Sequence, residues 1–283
     1  MSTGNNIRTA DVADKPAKQL EIDHLSLTFQ PNPKKPPFTA LQDVSLSVPA
    51  GEFVSVVGPT GSGKSTMLGV ISGLTHPSSG EVRIAGQRIT GIRDDIGFVF
   101  QQDALLPWRT ALQNVELALR FRGVDRRETR DRASGWLARV GLESFKDSYP
   151  HQLSGGMRKR AAIAATMVFE PDILLMDEPF SALDVQTRNL MENDLLRIWE
   201  RAASQTVVFI THDLEEAIGL SDRVVVLSAS PGRILCDYHV GLPRPRNLLE
   251  IKLEPSFLDL YRKIWNDLEG EVLKANQMAT VGS

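Results

Sequence analysis

Cysteine occurs once in the 283 residues, at Cys236, so no intrachain disulfide can form and the chain suits a reducing compartment. Long apolar runs are also missing. The longest nearly apolar stretch, Ala161 to Phe169, is far short of the ~20 residues that a membrane span requires. An excess of positive charge is absent: 32 Lys and Arg face 35 Asp and Glu, a net charge of −3, which argues against a general nucleic-acid binder. The opening residues carry Asn5, Asn6, Asp11 and Asp14 but no apolar block, so no signal peptide is expected. These absences predict a cytosolic protein that works at a membrane only through a partner.

What is present is an ordinary globular composition, 42% hydrophobic and 24% charged, in a length suited to one large domain with or without a small appendage. Residues 1–18 are polar and aperiodic and are expected to form a disordered tail. Apolar alternation begins at Leu20 and Ile22 and returns at Leu41, Val44, Leu46 and Val48. Between them, Pro31-Asn32-Pro33-Lys34-Lys35-Pro36-Pro37 cannot pair inside a sheet and reads as an exposed connection. Phe53 to Val57 reads as a buried strand, followed by a helix from Lys64 to about Ser72 that ends at Gly73.

Further strands are expected at Ile96–Phe100, Ile173–Met176, Val207–Ile210 and Val224–Leu227. Thr110 to about Val168 reads as helical apart from Gly141 to Gln152. Its Arg-rich part, Arg120 to Arg132, interleaves Asp125, Glu128 and Asp131 and is expected to be a solvated helix face. Near-continuous apolar strands alternating with helices predict an α/β fold whose largely parallel sheet is covered on both faces. Phe257, Tyr261, Ile264, Leu268 and Val272 recur at helical spacing after Pro255, which predicts a C-terminal helix docked on the domain.

Gly58-Pro59-Thr60-Gly61-Ser62-Gly63-Lys64-Ser65 matches the phosphate-loop pattern and stands between a strand-like and a helix-like run. Its glycines let successive backbone N–H groups turn toward phosphate oxygens, and the helix start adds partial positive charge. Lys64 is then expected at the β- and γ-phosphates, Ser65 at Mg²⁺ and Thr66 at the α-phosphate end. Ile173 to Met176 leads into Asp177 and Glu178, adjacent acids whose side chains leave a strand in opposite directions. Asp177 is assigned to the metal through a coordinated water, and Glu178 to the attacking water as general base. Together with the phosphate loop they predict a nucleotide hydrolase. Leu153-Ser154-Gly155-Gly156-Met157 precedes another helical run and forms a second candidate anion nest, best used by the nucleotide of another subunit.

With these motifs in hand, the chain from Leu20 to about Arg246 resembles the ATP-binding subunits of ABC transporters. Leu153 to Gly156 match the family signature, with Met157 where glutamine is commoner. Gln101 matches the glutamine that senses Mg²⁺ and connects to the membrane subunits. Ser181-Ala182-Leu183-Asp184 match the loop that crosses the dimer interface, and His212 the histidine that contacts the γ-phosphate. Phe29 is the expected adenine platform, with Phe38 as competitor. Ala165-Thr166-Met167 departs from the family's usual Arg-Ala-Leu, at a place expected to lie away from the phosphates. Gln101 to Trp108 and Leu242-Pro243-Arg244-Pro245-Arg246 look like the nitrate, sulfonate and taurine import group.

The resemblance implies a P-loop NTPase core with a largely parallel sheet, an N-terminal antiparallel β portion and a helical subdomain inserted over about 101–168. The ATPase domain would span 19–246, and 247–283 would be a helical extension. ATP and Mg²⁺ are the implied cofactors, with Glu178, His212 and Gln101 in the reaction and Ser65, Gln101 and Asp177 at the metal. Phe29 and Gly58 through Thr66 would bind ATP in cis; Ser154, Gly155, Gly156 and Asp184 would bind it in trans. The implied partners are a second copy, a multi-span permease at the cytoplasmic face of the inner membrane and, indirectly, a solute-binding protein, but no nucleic acid. Ala104, Leu105, Leu106, Pro107 and Trp108 are expected either to pack the helical block onto the core or to line a groove for the permease. A non-transport ABC ATPase, anchoring a membrane complex or acting on nucleic acid, is the competing reading.

Overall fold

A computed structural model describes residues 19–30, 36–201 and 205–281, without the side chains of Arg201 and of 278–281. The expected tail and residues 31–35 of the proline-rich connection lie outside the described residues. Strands β1 (Leu20–Phe29) and β2 (Phe38–Val48) form an antiparallel pair whose register runs from Leu20 opposite Val48 to Phe29 opposite Phe38. After β3 (Phe53–Val57) and helix α1 (Lys64–Ile71), the chain adds β4 (Ser79–Ile84) to the other edge of β1 and β5 (Gln87–Arg88) beyond it. This is the expected antiparallel portion. β4 was not visible in the sequence, because Ser79, Gly80, Glu81 and Arg83 dilute its apolar signal to Val82 and Ile84.

β6 (Ile96–Val99) leads into three helices, α2 (Ala111–Arg120), α3 (Arg126–Arg139) and α4 (Gly155–Met167), before the chain returns to β7 (Ile173–Asp177). Thr110 and Gln113 form a reciprocal capping box at the start of α2, and Asp125 accepts from the N–H groups of Arg127 and Glu128 to start α3. The arginines Arg126, Arg127 and Arg130 are exposed on α3, as a solvated face requires. Then follow α5 (Val185–Arg201), β8 (Thr206–Ile210), α6 (Leu214–Leu220) and β9 (Arg223–Leu227). β10 (Ile234–His239), α7 (Leu248–Ile251) and α8 (Pro255–Val281) complete the chain.

The second sheet has the order β10-β9-β3-β8-β7-β6 and is parallel except for β10. Its central strands bury alternate residues in two different cores. Phe53, Val57, Leu174, Met176, Val207, Phe209, Val224 and Val226 face a core built with the helices. Val54, Val56, Ile173, Leu175, Val208, Ile210, Val225 and Leu227 face one built with α1 and the antiparallel sheet. That double burial is why these strands read as continuous apolar runs. β10 escapes such a reading because it is an edge strand of alternating half-buried and exposed residues, including Asp237 and His239. Phe257, Ile264 and Leu268 of α8 are buried in the helical core, so the C-terminal helix docks as its spacing predicts.

Candidate functional site

The parallel order brings the C-terminal ends of β3, β7 and β8 side by side, and each is followed by a loop that carries chemistry. After β3 the chain turns through Gly58 to Gly63 into α1. Gly63 has φ of +88°, and a Cβ there would fall 2.8 Å from the Ala40 carbonyl, so only glycine fits. Gly63 is the N-cap of α1 and offers no side chain, so the first-turn N–H groups have no capping acceptor of their own. A phosphate oxygen is the acceptor such a terminus suits.

Lys64 is buried, and its Nζ donates to the carbonyls of Gly58 at 2.8 Å and Pro59 at 3.0 Å. Burial pulls its pKa below the ordinary lysine value, against the opposing pull of Glu178 and Asp177. Ser65 Oγ donates to Asp177 Oδ1 at 3.0 Å, bridging the phosphate loop to the end of β7. Burial raises the Asp177 pKa, with the Ser65 hydrogen bond opposing the shift. A hydroxyl and a partly desolvated carboxylate are hard oxygen donors of the kind that hold Mg²⁺ together with nucleotide phosphates. Among the described residues no three His, Cys, Asp or Glu side chains gather as a metal site, so any cation here would draw on such mixed ligands.

Glu178, one residue past β7, has φ of +40°, a left-handed conformation unusual for a non-glycine residue. Its backbone N–H donates to Ile210 O at the end of β8 at 2.9 Å. Its Oε2 lies 3.1 Å from His212 Nδ1, which joins the two expected catalytic residues from separate strands. Ser181 Oγ donates to the Glu178 carbonyl at 3.0 Å, and Gln101 Nε2 reaches Ser181 Oγ at 3.5 Å. The Gln101 loop is itself tethered: the buried Lys159 of α4 donates to Phe100 O and Gln101 O and pairs with Asp103 Oδ1 at 3.1 Å. Ser181 is expected from the sequence only as part of the loop that crosses the dimer interface, not as a link between Gln101 and Glu178, and Lys159 is not singled out at all. A serine in a loop and a lysine inside a helix carry no signal until the fold shows what they touch.

Ser154 caps α4 by accepting from Met157 N–H, and its helix start is open to solvent at Ser154 and Gly155. The two glycines differ in their surroundings. A Cβ on Gly155 would meet nothing closer than 3.8 Å, whereas one on Gly156 would come within 2.6 Å of Thr187 Cγ2. Gly156 thus also serves the packing of α4 against α5. Asp184 is exposed and accepts from Thr187 N–H at 3.0 Å, and that bond lowers its pKa. Beside it Val185 and, one turn on, Leu190 stand exposed.

Phe29 and Phe38 are register partners at the end of the β1–β2 pair where the chain passes from one strand to the other, and are 40% and 53% exposed. Directly opposed residues share a sheet face, so the two competing platforms belong to one aromatic surface. Thr66 follows Ser65 in the first turn of α1 and is partly buried. The five apolar residues after Gln101 divide. Ala104 and Leu105, with Phe98, Phe100, Ala162, Ala165, Thr166 and Phe169, line a hollow of about 130 Å³. Trp108 is 69% exposed, so it does not pack the helical block onto the core. The departing Thr166 is in this hollow, donating its hydroxyl to Ala162 O, as a position off the phosphates would be.

Residues 41–181 match the sequence model of the ABC transporter family. An ABC transporter ATP-binding protein of Methanocaldococcus jannaschii is 45% identical over 262 residues, covering 93% of this chain and 96% of the relative. The nitrate import ATP-binding protein NrtD of Synechocystis is 44% identical, covering 89% and 95%. The taurine import ATP-binding protein TauB of Rhizobium johnstonii is 41% identical, covering 87% and 94%. Among solved structures, the ATP-binding cassette MJ0796, a dimer in a post-hydrolysis state with ADP and Pi, superposes with a TM-score of 0.70. It is 35% identical and covers 79% of this chain and 100% of its own. This chain belongs to the ABC transporter family, as one of its ATP-binding and ATP-hydrolysing cassettes.

Proposed function

We propose that the chain is the motor subunit of an ABC importer, pairing with a second copy around two nucleotides and driving uptake of a small solute of the nitrate, sulfonate or taurine kind. The importer and solute class rest on the likeness to the nitrate and taurine import proteins. The dimer rests on the likeness to the paired cassettes. Among the described residues no helix is long and apolar enough to cross a membrane. A separate permease therefore supplies the span, holding this subunit at the cytoplasmic face, and a solute-binding protein delivers the cargo from the other side.

The observation that carries the hydrolytic reading is the 3.1 Å approach of Glu178 and His212 beside the Lys64 loop. In this reading Gly58 to Thr66 wrap the phosphates in cis, and Phe29, with Phe38 opposite it, forms the adenine platform. Ser154, Gly155, Gly156 and Asp184 reach the partner's nucleotide. Ser65, Asp177 and Gln101 hold Mg²⁺, which supplies charge neutralisation at the phosphate oxygens. Glu178 takes the proton of the attacking water, while His212 orients that carboxylate and meets the γ-phosphate. Glu178→Gln keeps the shape of the site but removes the base. It is expected to bind ATP normally and to lose 10²–10⁴-fold in turnover, an order-of-magnitude range for a general base. Equilibrium binding and steady-state ATPase assays on that variant decide the matter, and near wild-type turnover would refute the assignment.

The hollow beneath Ala104 and Leu105 is the proposed seat of an apolar helix from the permease. Its walls are phenylalanines and small residues, Phe98 and Phe100 stacking at 4.2 Å. Ala104 is exposed at its edge. Ala104→Glu is expected to leave the melting temperature unchanged and to abolish co-purification with the permease. Retained co-purification would place the contact elsewhere.

A further inference from the structure

We infer that Thr211, Glu216 and Arg188 form a brace that aims His212 at Glu178, and that all three are positioning residues of the hydrolysis site. The inference rests on the role proposed above for His212.

Thr211 is buried directly before His212. Its Oγ1 donates to Glu216 Oε2 at 2.6 Å and accepts from the Asp213 N–H at 3.0 Å. One hydroxyl therefore ties together the residues on either side of His212 and leaves the imidazole itself to reach Glu178. Glu216, buried in the first turn of α6, has its charge met by Arg188 of α5, whose Nε lies 3.7 Å from Oε1. The same guanidinium donates through Nη1 to Asp213 Oδ2 at 3.2 Å and through Nη2 to Leu183 O at 3.3 Å. Asp213 turns its other oxygen to the N–H groups of Glu215 and Glu216, starting α6. The brace thus fastens both neighbours of His212 to the loop that descends from Glu178, without using the Glu178 side chain.

A merely structural role accounts poorly for this arrangement. Apolar side chains would hold α5 against α6 at least as well, because burying charge incurs desolvation that packing does not. The polar contacts instead converge on the two residues flanking the histidine. Small misplacement of a catalytic group has a large kinetic effect, which gives such a brace something to act on.

The test compares Thr211→Val, which keeps the shape and removes the hydroxyl, with Thr211→Ser, which restores it. Each is made in the full chain and again with His212→Ala, and kcat and KM for MgATP are measured. Thr211→Val is expected to lower kcat at least about tenfold with KM changed by less than about twofold, and Thr211→Ser to recover most of the rate. With His212→Ala already present, Thr211→Val should cause no further loss, because it acts through that side chain. A wild-type kcat for Thr211→Val, or an equal loss in both backgrounds, overturns the brace while leaving the His212 role intact. A wild-type rate for His212→Ala alone overturns that role, and the brace with it. Should Thr211→Val lower the melting temperature steeply, Arg188→Gln, at a partly exposed side chain, carries the same comparison.

Discussion

At the scale of single residues, Glu192 lies buried on α5 next to Glu216, with Asp213, Lys252 and Arg188 as its other charged neighbours. Burial first, then repulsion from Glu216, pushes its pKa from 4.5 up to about 8, with Lys252 and Arg188 opposing. The folded chain therefore keeps a proton on Glu192 that the unfolded chain releases at lower pH. In the window between 4.5 and about 8 the folded state binds more protons, so stability falls as pH rises through it. Glutamine reproduces the protonated acid in shape without that liability. Glu192→Gln is expected to flatten the decline in melting temperature between pH 5 and 8 and to add at least about 1 kcal/mol at pH 8. An unaltered pH profile would show that the carboxyl is ionised in the folded protein. The backbone of Glu178 is another residue-scale fact beyond the sequence. Nothing in Met176-Asp177-Glu178 signals a positive φ; the residue adopts it where its N–H bonds to Ile210 O on a neighbouring strand, a partner distant in sequence.

Among the elements, α6 is gripped at both ends. Asp213 caps its start, and at its end Arg246 donates to the carbonyls of Ile218, Gly219 and Ser221 while also reaching Leu242 O. Those helix-terminal carbonyls lack intrahelical donors, and a guanidinium is the side chain that can serve several of them at once. Arg244 assists by binding Leu220 O and Asp222, its guanidinium stacked over Trp199. Arg246→Met fills similar space but leaves the carbonyls unpaired, so it is expected to destabilise the fold by about 2–4 kcal/mol. Chemical denaturation reads this as a lowered midpoint with unchanged slope; an unchanged midpoint would mean the clamp contributes nothing.

The same element shows where reading a sequence stops. The strand before α6 was legible because Val207 to Ile210 are buried on both faces, and His212 because it follows that strand directly. Asp213 and Glu216 stand three apart, a spacing that marks a helix start. It gives no reason to expect Glu216 to turn back to Thr211. Leu242 to Arg246 could be read only as a resemblance, since partners some 25 residues away in the chain give those arginines their meaning.

For the whole molecule, the order of strands does the functional assembly. Motifs at 58–65, 177–178 and 212 are far apart in sequence and meet because β3, β8 and β7 are neighbours in one parallel sheet. The phosphate loop and the acidic pair could be read in advance, as each is a local pattern with local chemistry. Lys159 holding the Gln101 loop, and Trp108 standing in solvent rather than packing the helical block, depend on how α2 to α4 settle on the sheet. The Ser154 helix start and Asp184 remain open on the surface, where a second copy would meet them.

If each active site is completed by two chains, as proposed, the steady-state ATPase rate of a purified heterodimer of Lys64→Ala and Ser154→Arg subunits reveals it. Each variant alone carries the same defect into both of its sites and is expected to be inactive. In the heterodimer one composite site unites an intact Lys64 loop with an intact Ser154 helix start, so a substantial part of the wild-type rate should return. Heterodimers that form and yet hydrolyse no ATP would rule out sites shared between two chains.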